Sequence, residues 1–328
     1  MKKRLFLAGL LLPVLSYAQR ADTSVRSTDT TVRSTDTTVR PKDARRQKPL
    51  VTTAPRLGGV TISSQVTPVT MSGGSFTLYQ PTVDIGVPIY TDFTSPHPLL
   101  IKTGLRYDGL MIDNEKNIGG SAFHTLTIPF VLNYSLNRKT DLSLLGGVMV
   151  SSDFKRDIGS GDIFYTAGAR IGFRPRNTLR YGVTLVYFRN YSGQYLLPVP
   201  DIEWAIDRRW SLTAVLPARA SLKYKVDKTQ SLGITNSFTG GTWLLHSAGG
   251  KQYLQLQQVS AGLLYECTLA KRWKLNLIAG HTLLQRLETF DLDQKISLDG
   301  FGKLGERVHN VSYRPNSFTF QGSVSFAF

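Results

Sequence analysis

The sequence has almost no cysteine and, after its first residues, no long hydrophobic run. Its single cysteine, Cys267, cannot form an intramolecular disulfide, which excludes a small secreted fold held together by disulfides. No later segment offers the roughly 20 apolar residues that a membrane-spanning helix requires, so helical spans are excluded. Cys267 shares its strand face with Leu263 and Leu269, which favours a small apolar wall residue over a reactive thiol.

Motifs for metals, nucleotides and nucleic acids are missing as well. There is no metal-ligand spacing, phosphate-binding loop or dinucleotide fingerprint, so no cofactor is predicted. Of the net charge of +16, the first residues carry +3 and residues 20–56 carry +5, which leaves +8 for residues 57–328. Because no basic block is interleaved with aromatic residues, nucleic acid is not predicted as a partner. A modestly cationic surface near anionic lipid is the simpler account.

Candidate catalytic residues are scattered rather than grouped. His281 shares its face with the apolar Trp273, where an outer-membrane phospholipase would place a base beside a serine, but AGHTLLQ lacks a His-x-Ser-Asn-type arrangement. Asp291, Asp293 and His309 share one long connection, as in omptin-type proteases, but no spacing groups them. The sequence therefore predicts no enzyme, with lipid hydrolysis as a remote alternative.

The first residues have the layout of a cleaved secretory signal. MKKR is basic, the 11 residues from Leu5 to Leu15 are apolar, and small residues follow, which predicts cleavage between Ala18 and Gln19. The apolar stretch is shorter than the roughly 20 residues that a transmembrane anchor needs. No cysteine stands at the cleavage point, which argues against a lipid-anchored lipoprotein. We therefore expect residues 1–18 to be a signal peptide and the protein to be exported.

A seven-residue repeat follows the predicted signal. Residues 20–40 read RADTSVR, STDTTVR and STDTTVR, and one valine per unit cannot form a coiled-coil seam. Such a stretch cannot bury enough surface to offset its ordering entropy, so we expect residues 19–56 to be a disordered linker. The alternative is an arm that touches the cell wall or a partner.

From Leu57 onwards apolar and polar residues alternate, as they do in β-strands with one apolar face. Residues 123–136 place Leu126, Ile128 and Phe130 on one face, and residues 316–328 alternate down to a final Phe328. No sustained helical period appears. A soluble antiparallel sheet would produce the same alternation as a membrane barrel, so a second criterion is needed.

The connections supply that criterion. Short polar turns at 137–139, 176–177, 207–208, 227–228 and 270–271 largely alternate with long connections at 111–122, 152–162, 189–196, 242–250 and 288–315. A transmembrane barrel has short periplasmic turns and long outer loops. Aromatic residues near predicted turns also suit two interfacial girdles. They are Tyr134, Tyr165, Tyr187, Trp204, Trp210, Tyr224, Trp243, Tyr265 and Trp273.

These patterns predict an all-β fold, a transmembrane antiparallel up-and-down β-barrel of 12–14 strands that occupies residues 57–328. Counting by parity gives fourteen, but 210–216 and 219–226 are short and could form a bent pair or a constriction, so twelve stays open. The predicted strands are 58–67, 76–89, 98–110, 123–136, 140–151, 162–174, 178–189, 197–206, 210–216, 219–226, 230–241, 251–268, 272–287 and 316–328.

The inward faces are rich in Thr, Ser, Gly, Asn and Arg, which predicts a narrow polar lumen unless the 288–315 connection folds into it. Four apolar residues of that connection favour such a plug: Ile296, Leu298, Phe301 and Leu304. Cationic side chains in the lumen would favour anions. The candidate lumen cations are Arg170, Arg174, Arg180 and Lys274.

Two segments resemble known protein classes. The last strand resembles the assembly signal of Gram-negative outer-membrane barrels, with matching positions at Phe320, Val324, Phe326 and Phe328. That resemblance implies an outer-membrane location and reading by the barrel-insertion machinery. Residues 196–226, with Leu-Pro before an apolar-Glu-Trp, then Trp-Ser-Leu, Leu-Pro and Leu-x-Tyr, resemble an uncharacterised family of outer-membrane barrels known only as a domain of unknown function. The family implies the barrel and no defined activity.

The function predicted from the sequence is a porin-like passive channel for small, preferentially anionic solutes. The alternative is a closed structural or adhesive barrel that acts through its extracellular loops. Residues 20–56 are too short and too polar to form a plug domain for energised transport. Expected partners are outer-membrane lipid, the insertion machinery and small solutes, and the sequence leaves the oligomeric state open.

Overall fold

A computed structural model describes residues 58–71, 74–246, 252–270, 272–296 and 307–328, and these form a closed antiparallel barrel. Its strands are β1 (Gly59–Met71), β2 (Gly74–Asp92), β3 (Leu99–Asp113), β4 (Ala122–Asn137), β5 (Thr140–Ser152), β6 (Ile163–Arg176), β7 (Leu179–Asn190), β8 (Gly193–Ala205), β9 (Trp210–Val215), β10 (Arg219–Lys225), β11 (Gln230–Leu245), β12 (Gln252–Ala270), β13 (Trp273–Asp291), β14 (Val311–Tyr313) and β15 (Phe318–Ala327). Strands β1 to β13 pair with their neighbours in sequence, β15 pairs with β13, and β1 pairs with β15 to close the ring. The described residues include one short 3-10 turn, Ser160–Asp162, and no helix long and apolar enough to cross a membrane.

The predicted count of fourteen strands is confirmed for the ring, because β14 is a three-residue strand that pairs with β13 outside it. The predicted long connection at 189–196 is wrong: β7 and β8 are joined by a tight turn at Tyr191 and Ser192. The predicted signal, linker and cleavage site (Ala18 and Gln19) lie outside the described residues, as do Leu298, Phe301 and Leu304.

The outer surface of the barrel carries an apolar band. Residues predicted to share the lipid face are exposed, including Ile128 at 54% and Leu263 at 69% of their surface. Such a band would be costly in water and is expected against lipid, so the barrel is a transmembrane one. Exposed aromatic residues accompany it, among them Trp204, Trp210 and Trp273. Trp243 was wrongly predicted for a girdle, because it points inward and is 4% exposed.

The lumen differs between the two halves of the barrel. The half near Phe328, which we call the inner half, has polar inward residues such as Ser63, Ser143 and Thr184. Towards the opposite end of the same strands, inward residues become apolar, as Val69 does on β1 and Leu110 on β3. The expected polar lumen is therefore found in the inner half, and the outer half is built differently.

The outer halves of three wall strands fill the mouth of the barrel. We call residues 238–245 of β11, 252–259 of β12 and 284–291 of β13 the infolded layer. One face packs against β1–β4, in a cluster that contains Val69, Phe76, Leu78, Leu110, Ile112, Ile118, Phe123, Trp243, Leu245, Leu254, Leu256 and Leu287. The other face packs against β6–β8, through Phe238, Leu244, Tyr253, Val259, Leu284 and Phe290. The mouth is thus three layers thick.

The short β9–β10 hairpin explains why these strands can leave the wall. β11 pairs with β10 as far as Ser237, and beyond that residue it has no β10 neighbour. It then crosses the mouth, where Leu244 forms a parallel bridge with Ser152 of β5. A strand needs only ~10 residues to span a bilayer. The part of a longer strand that extends beyond the span does not have to face lipid, so both of its faces can pack against protein.

Candidate functional site

Polar contacts fasten the infolded layer to the end of β5, and we call them the latch. Ser151 Oγ donates a hydrogen bond to the Thr242 carbonyl at 2.6 Å, beside the Leu244–Ser152 bridge. Just beyond, His246 Nδ1 lies 2.6 Å from Asp153 Oδ1, and the His246 N–H donates to Asp153 Oδ2 at 3.2 Å. The latch therefore ties together wall strands that lie on opposite sides of the mouth.

Asp153 is the buried anchor of the latch. Its side chain is fully buried. Burial alone would raise the pKa of its carboxyl, but hydrogen bonds from the His246 ring and from the N–H groups of Lys155 and His246 outweigh this and lower that pKa. The carboxylate is accordingly ionised at neutral pH, where it keeps its capacity to accept the bonds that hold the end of β11.

A layer of amide side chains crosses the lumen beneath the apolar mouth. Gln80 Nε2 donates to Gln258 Oε1 at 2.9 Å, and Gln258 Nε2 donates to Thr67 Oγ1 at 3.2 Å. Because β2 and β12 are not neighbours in the ring, the first of these bonds spans the lumen. Gln285 lies opposite Gln258, and neither atom of its buried amide has a hydrogen-bond partner among the described residues. Such amides can bind water or a polar solute.

The inner half contains a network of charges on β5–β8. Arg170 bonds to Asp141, and its Nη2 lies 2.7 Å from Asp201 Oδ1. Arg180 Nη2 lies 3.2 Å from the same Asp141 carboxylate. A Cβ at Gly172 or Gly182 would overlap the Arg170 guanidinium, so these glycines let that group lie against the wall. Because the Arg170 side chain lies along the wall instead of projecting into the lumen, the lumen is wider at this level.

A second charged group lies on β10, β12 and β13. Glu266 accepts from Lys274 Nζ at 2.8 Å and lies 3.5 Å from Lys223 Nζ. All four predicted lumen cations are on the inward face, but the structure divides them between two groups, with Lys274 apart from the three arginines. Three of them are paired with carboxylates, and Arg174 Nε has no partner in the described part of the chain.

The predicted assembly residues lie on the outward face of β15. Phe326 packs against Trp273 with ring centroids 4.9 Å apart, and Phe328 lies 6.0 Å from Phe326. Phe320 and Val324 are exposed beside them. The four side chains thus form an apolar strip at the closing strand, and their role as an assembly signal stays a prediction.

Among the described residues, no hydrogen bond joins the candidate catalytic residues to one another. His281 lies on the lipid face against Phe318, and its Nδ1 is 2.8 Å from the Thr282 carbonyl. Asp291 accepts from Gln252 and Asn310. Among the described residues no group of three or more His, Cys, Asp or Glu side chains could hold a metal ion.

Sequence reasoning missed the infolded layer and the latch, although two signals were present. β12 and β13 are 19 residues long, about twice what a tilted span needs. Alternation also fails at the ends of β11 and β12, where TWLL and YLQLQQ are buried on both faces. A strand that is buried on both faces does not face lipid on one side.

Comparisons with known proteins concern the family and the fold. The family model Domain of unknown function (DUF6268) matches residues 112–296. No curated protein matches the sequence. The COG4313 outer membrane channel from Pseudomonas putida F1 is 12% identical, with 89% of this chain and 100% of that chain covered and a TM-score of 0.45. The NanC porin is 7% identical, with 82% and 100% covered and a TM-score of 0.35. Because these likenesses are low, the fold rests on the strand pairing itself.

Proposed function

The chain belongs to the DUF6268 family, a domain of unknown function, and we propose that it is a gated outer-membrane channel for small polar solutes. The resemblance noted at residues 196–226 lies inside the matched range. The predicted export signal, the apolar outer band and the aromatic C-terminal strand all support the outer membrane as its location. The predicted division into signal, linker and barrel is part of this proposal.

One observation carries the proposal: a polar, charge-lined inner half lies beneath a mouth that is closed by the protein's own wall strands. A lumen of this chemistry suits hydrated solutes. The infolded layer is attached to the rest of the wall by packing and by the latch, both of which are reversible contacts. We therefore regard the closed mouth as one of two states of a channel.

The expected selectivity is weak. Inward-facing basic and acidic residues of the inner half are nearly balanced, and most are paired, so a slight preference for anions is the most that these charges support. The basic residues are Lys102, Arg106, Arg170, Arg174, Arg180, Arg219, Lys223 and Lys274, and the acidic ones are Asp84, Asp108, Asp141, Asp201, Glu203 and Glu266.

A disulfide that holds the infolded layer in the mouth tests whether this layer is the gate of the channel. In a Cys267→Ser background, Ser152→Cys with Leu244→Cys would place a disulfide at the β5–β11 bridge. We expect brief conductance steps in planar bilayers when this pair is reduced and none when it is oxidised, because the layer cannot then leave the mouth. The control, Leu132→Cys with Leu144→Cys, joins neighbouring strands on the lipid face and should conduct equally in both states.

Two results would contradict the proposal. Steps that persist in the oxidised lock would mean that the infolded layer is not the gate. A barrel that is folded and silent in every redox state would favour the alternative, a closed structural or adhesive barrel that acts through its outer loops, for which the filled mouth is the supporting observation.

Removing Phe328 tests the assembly signal. We expect the deletion to lower sharply the fraction of chain that reaches the outer membrane as a heat-modifiable barrel, because the insertion machinery would lose the terminal ring. Phe318→Ala is the control, since Phe318 is exposed on the same face of β15 but outside the matching positions. If the Phe328 deletion inserted as efficiently as the Phe318→Ala variant, the prediction would be wrong.

A further inference from the structure

The β9–β10 hairpin crosses only part of the membrane. Its strands have 6 and 7 residues, and at about 3.3 Å per residue and about 40° tilt they rise roughly 15–18 Å, about half of a ~30 Å hydrocarbon core. The tip reads Leu216, Pro217 and Ala218, and Leu216 is 45% exposed. An apolar tip is typical of a turn in lipid, whereas the turns at 207–209 and 227–229 are polar. The hairpin therefore ends inside the bilayer.

Above this tip, no strand among the described residues covers the edge of β8. β8 pairs with β9 from Asp201 to Ala205, and Pro200 accepts a bond from the Leu216 N–H. At the far end, the Gln194 N–H donates to the Ile296 carbonyl. Between these two bonds, no strand pairs with this edge in the described part of the chain. We call this opening the wall break.

The sequence of β8 is adapted to an edge in lipid. Backbone groups of residues two apart point to the same side of a strand, so those of Pro198 point to the wall break, as those of Pro200 do. Neither proline has an N–H, which leaves Leu196 as the remaining donor between Gln194 and the hairpin. Unpaired donors are costly in lipid, and prolines also prevent another strand from adding to the edge.

Behind the wall break lies an apolar cluster rather than the polar lumen. Its buried members come from β7, β8, the hairpin tip, the infolded layer and the 288–315 connection: Val186, Phe188, Tyr195, Leu197, Val199, Ala218, Phe238 and Ile296. We call this set the break cluster. The infolded layer separates it from the amide layer, because Phe238 and Gln258 point to opposite faces of that layer. Apolar side chains thus flank the wall break on its lipid side, as Leu196 does, and on its inner side.

We propose that the wall break is a binding site and lateral route for small uncharged apolar molecules dissolved in the outer leaflet. The edge has too few donors to select a peptide strand or a polar solute, and the surfaces on both sides are apolar. A charged molecule would lose its hydration there without gaining a partner. This site is separate from the polar channel of the proposed function and does not require that channel to open.

A small apolar photolabel tests the site on the unmodified protein. In vesicles that contain the refolded barrel, 3-(trifluoromethyl)-3-(m-iodophenyl)diazirine partitions into the bilayer, and mass spectrometry locates its adducts. We expect adducts on Leu197 and Val199 in the break cluster as well as on the lipid-facing Leu196, which is 55% exposed. Leu254 and Leu256, which are also buried but on the opposite face of the infolded layer, should stay unlabelled.

Competition distinguishes a site from plain lipid contact. Excess naphthalene should abolish labelling of Leu197 and Val199 while labelling of Leu196 persists, because a site saturates and a lipid surface does not. Leu197→Trp, which fills the cluster, should have the same effect, and Leu196→Trp on the lipid face should not. Absence of adducts on the cluster would overturn the proposal. Adducts that naphthalene cannot displace would show lipid chains against an open edge, which also overturns it. Neither readout depends on conductance.

Discussion

Replacing Trp243 by alanine is expected to raise the open probability of the channel, from brief conductance steps to sustained conductance. The indole is buried in the infolded layer and packs against Phe123 of β4, with ring centroids 6.0 Å apart. Deleting a buried Trp costs about 3–5 kcal/mol, and this cost falls on the closed mouth, where the indole is packed. A loss of that size shifts the balance between closed and open mouths by a factor of roughly 10²–10⁴.

The measurement is the open probability in planar bilayers, with the wild type and Trp204→Ala as references. Trp204 lies on the lipid face, so its loss should leave the open probability unchanged. Heat-modifiability on a gel checks that each variant is a folded barrel. A folded but silent Trp243→Ala barrel would mean that the layer stays in the mouth without this side chain, and the gate would then have to be sought elsewhere.

Arg170→Met is expected to destabilise the barrel more than any other single change in the inner half. The substitution leaves Asp141 and Asp201 without their shared partner at positions where their side chains are only 21% and 16% exposed. Breaking a buried ion pair on one side costs about 3–5 kcal/mol, and the remaining exposure of these carboxylates favours the lower end of that range. The expected result is a lower urea midpoint for unfolding of the refolded barrel in detergent.

Two further variants separate charge from packing. Adding Asp201→Asn to Arg170→Met should recover much of the lost stability, because Asp141 keeps Arg180 as a partner and no uncompensated carboxylate then remains. Arg176→Met, at an exposed position near the inner end of β6, should leave the midpoint unchanged. If the double variant were as unstable as the single one, the guanidinium would be acting through packing against Gly172 and Gly182 instead of through charge.

Much of the wall could be predicted because each wall residue meets one of two solvents. Ile163, Tyr165 and Ile171 alternate with Arg170 since lipid covers one face and the lumen covers the other. Trp243 was misassigned because its nearness to a predicted turn suggested a girdle, although it shares its parity with the inward-facing Thr235 and Ser237. The contact with Phe123 joins residues 120 positions apart, and no local pattern encodes it.

The candidate site was predictable to a similar degree. All four candidate lumen cations lie on the inward face, as expected of basic residues in an otherwise polar set, and their role in the lumen stays a prediction. Their carboxylate partners were not predicted. Arg170 pairs with Asp141 of β5 and Asp201 of β8, and such pairs depend on the register of several strands relative to one another. The wall break was partly visible in the short strands at 210–216 and 219–226, which were expected to be a bent pair or a constriction.

The seam between β1 and β15 has a consequence for the order in which this protein can be made. Its hydrogen bonds join residues far apart in the chain, such as Thr61 and Ser325, which are 264 positions apart. β1 therefore leaves the ribosome long before its partner exists, and on the predicted export route it also reaches the periplasm first. Throughout that interval its apolar face and unpaired edge need protection, so we expect biogenesis to depend on a periplasmic chaperone that shields the nascent amino-terminal strand.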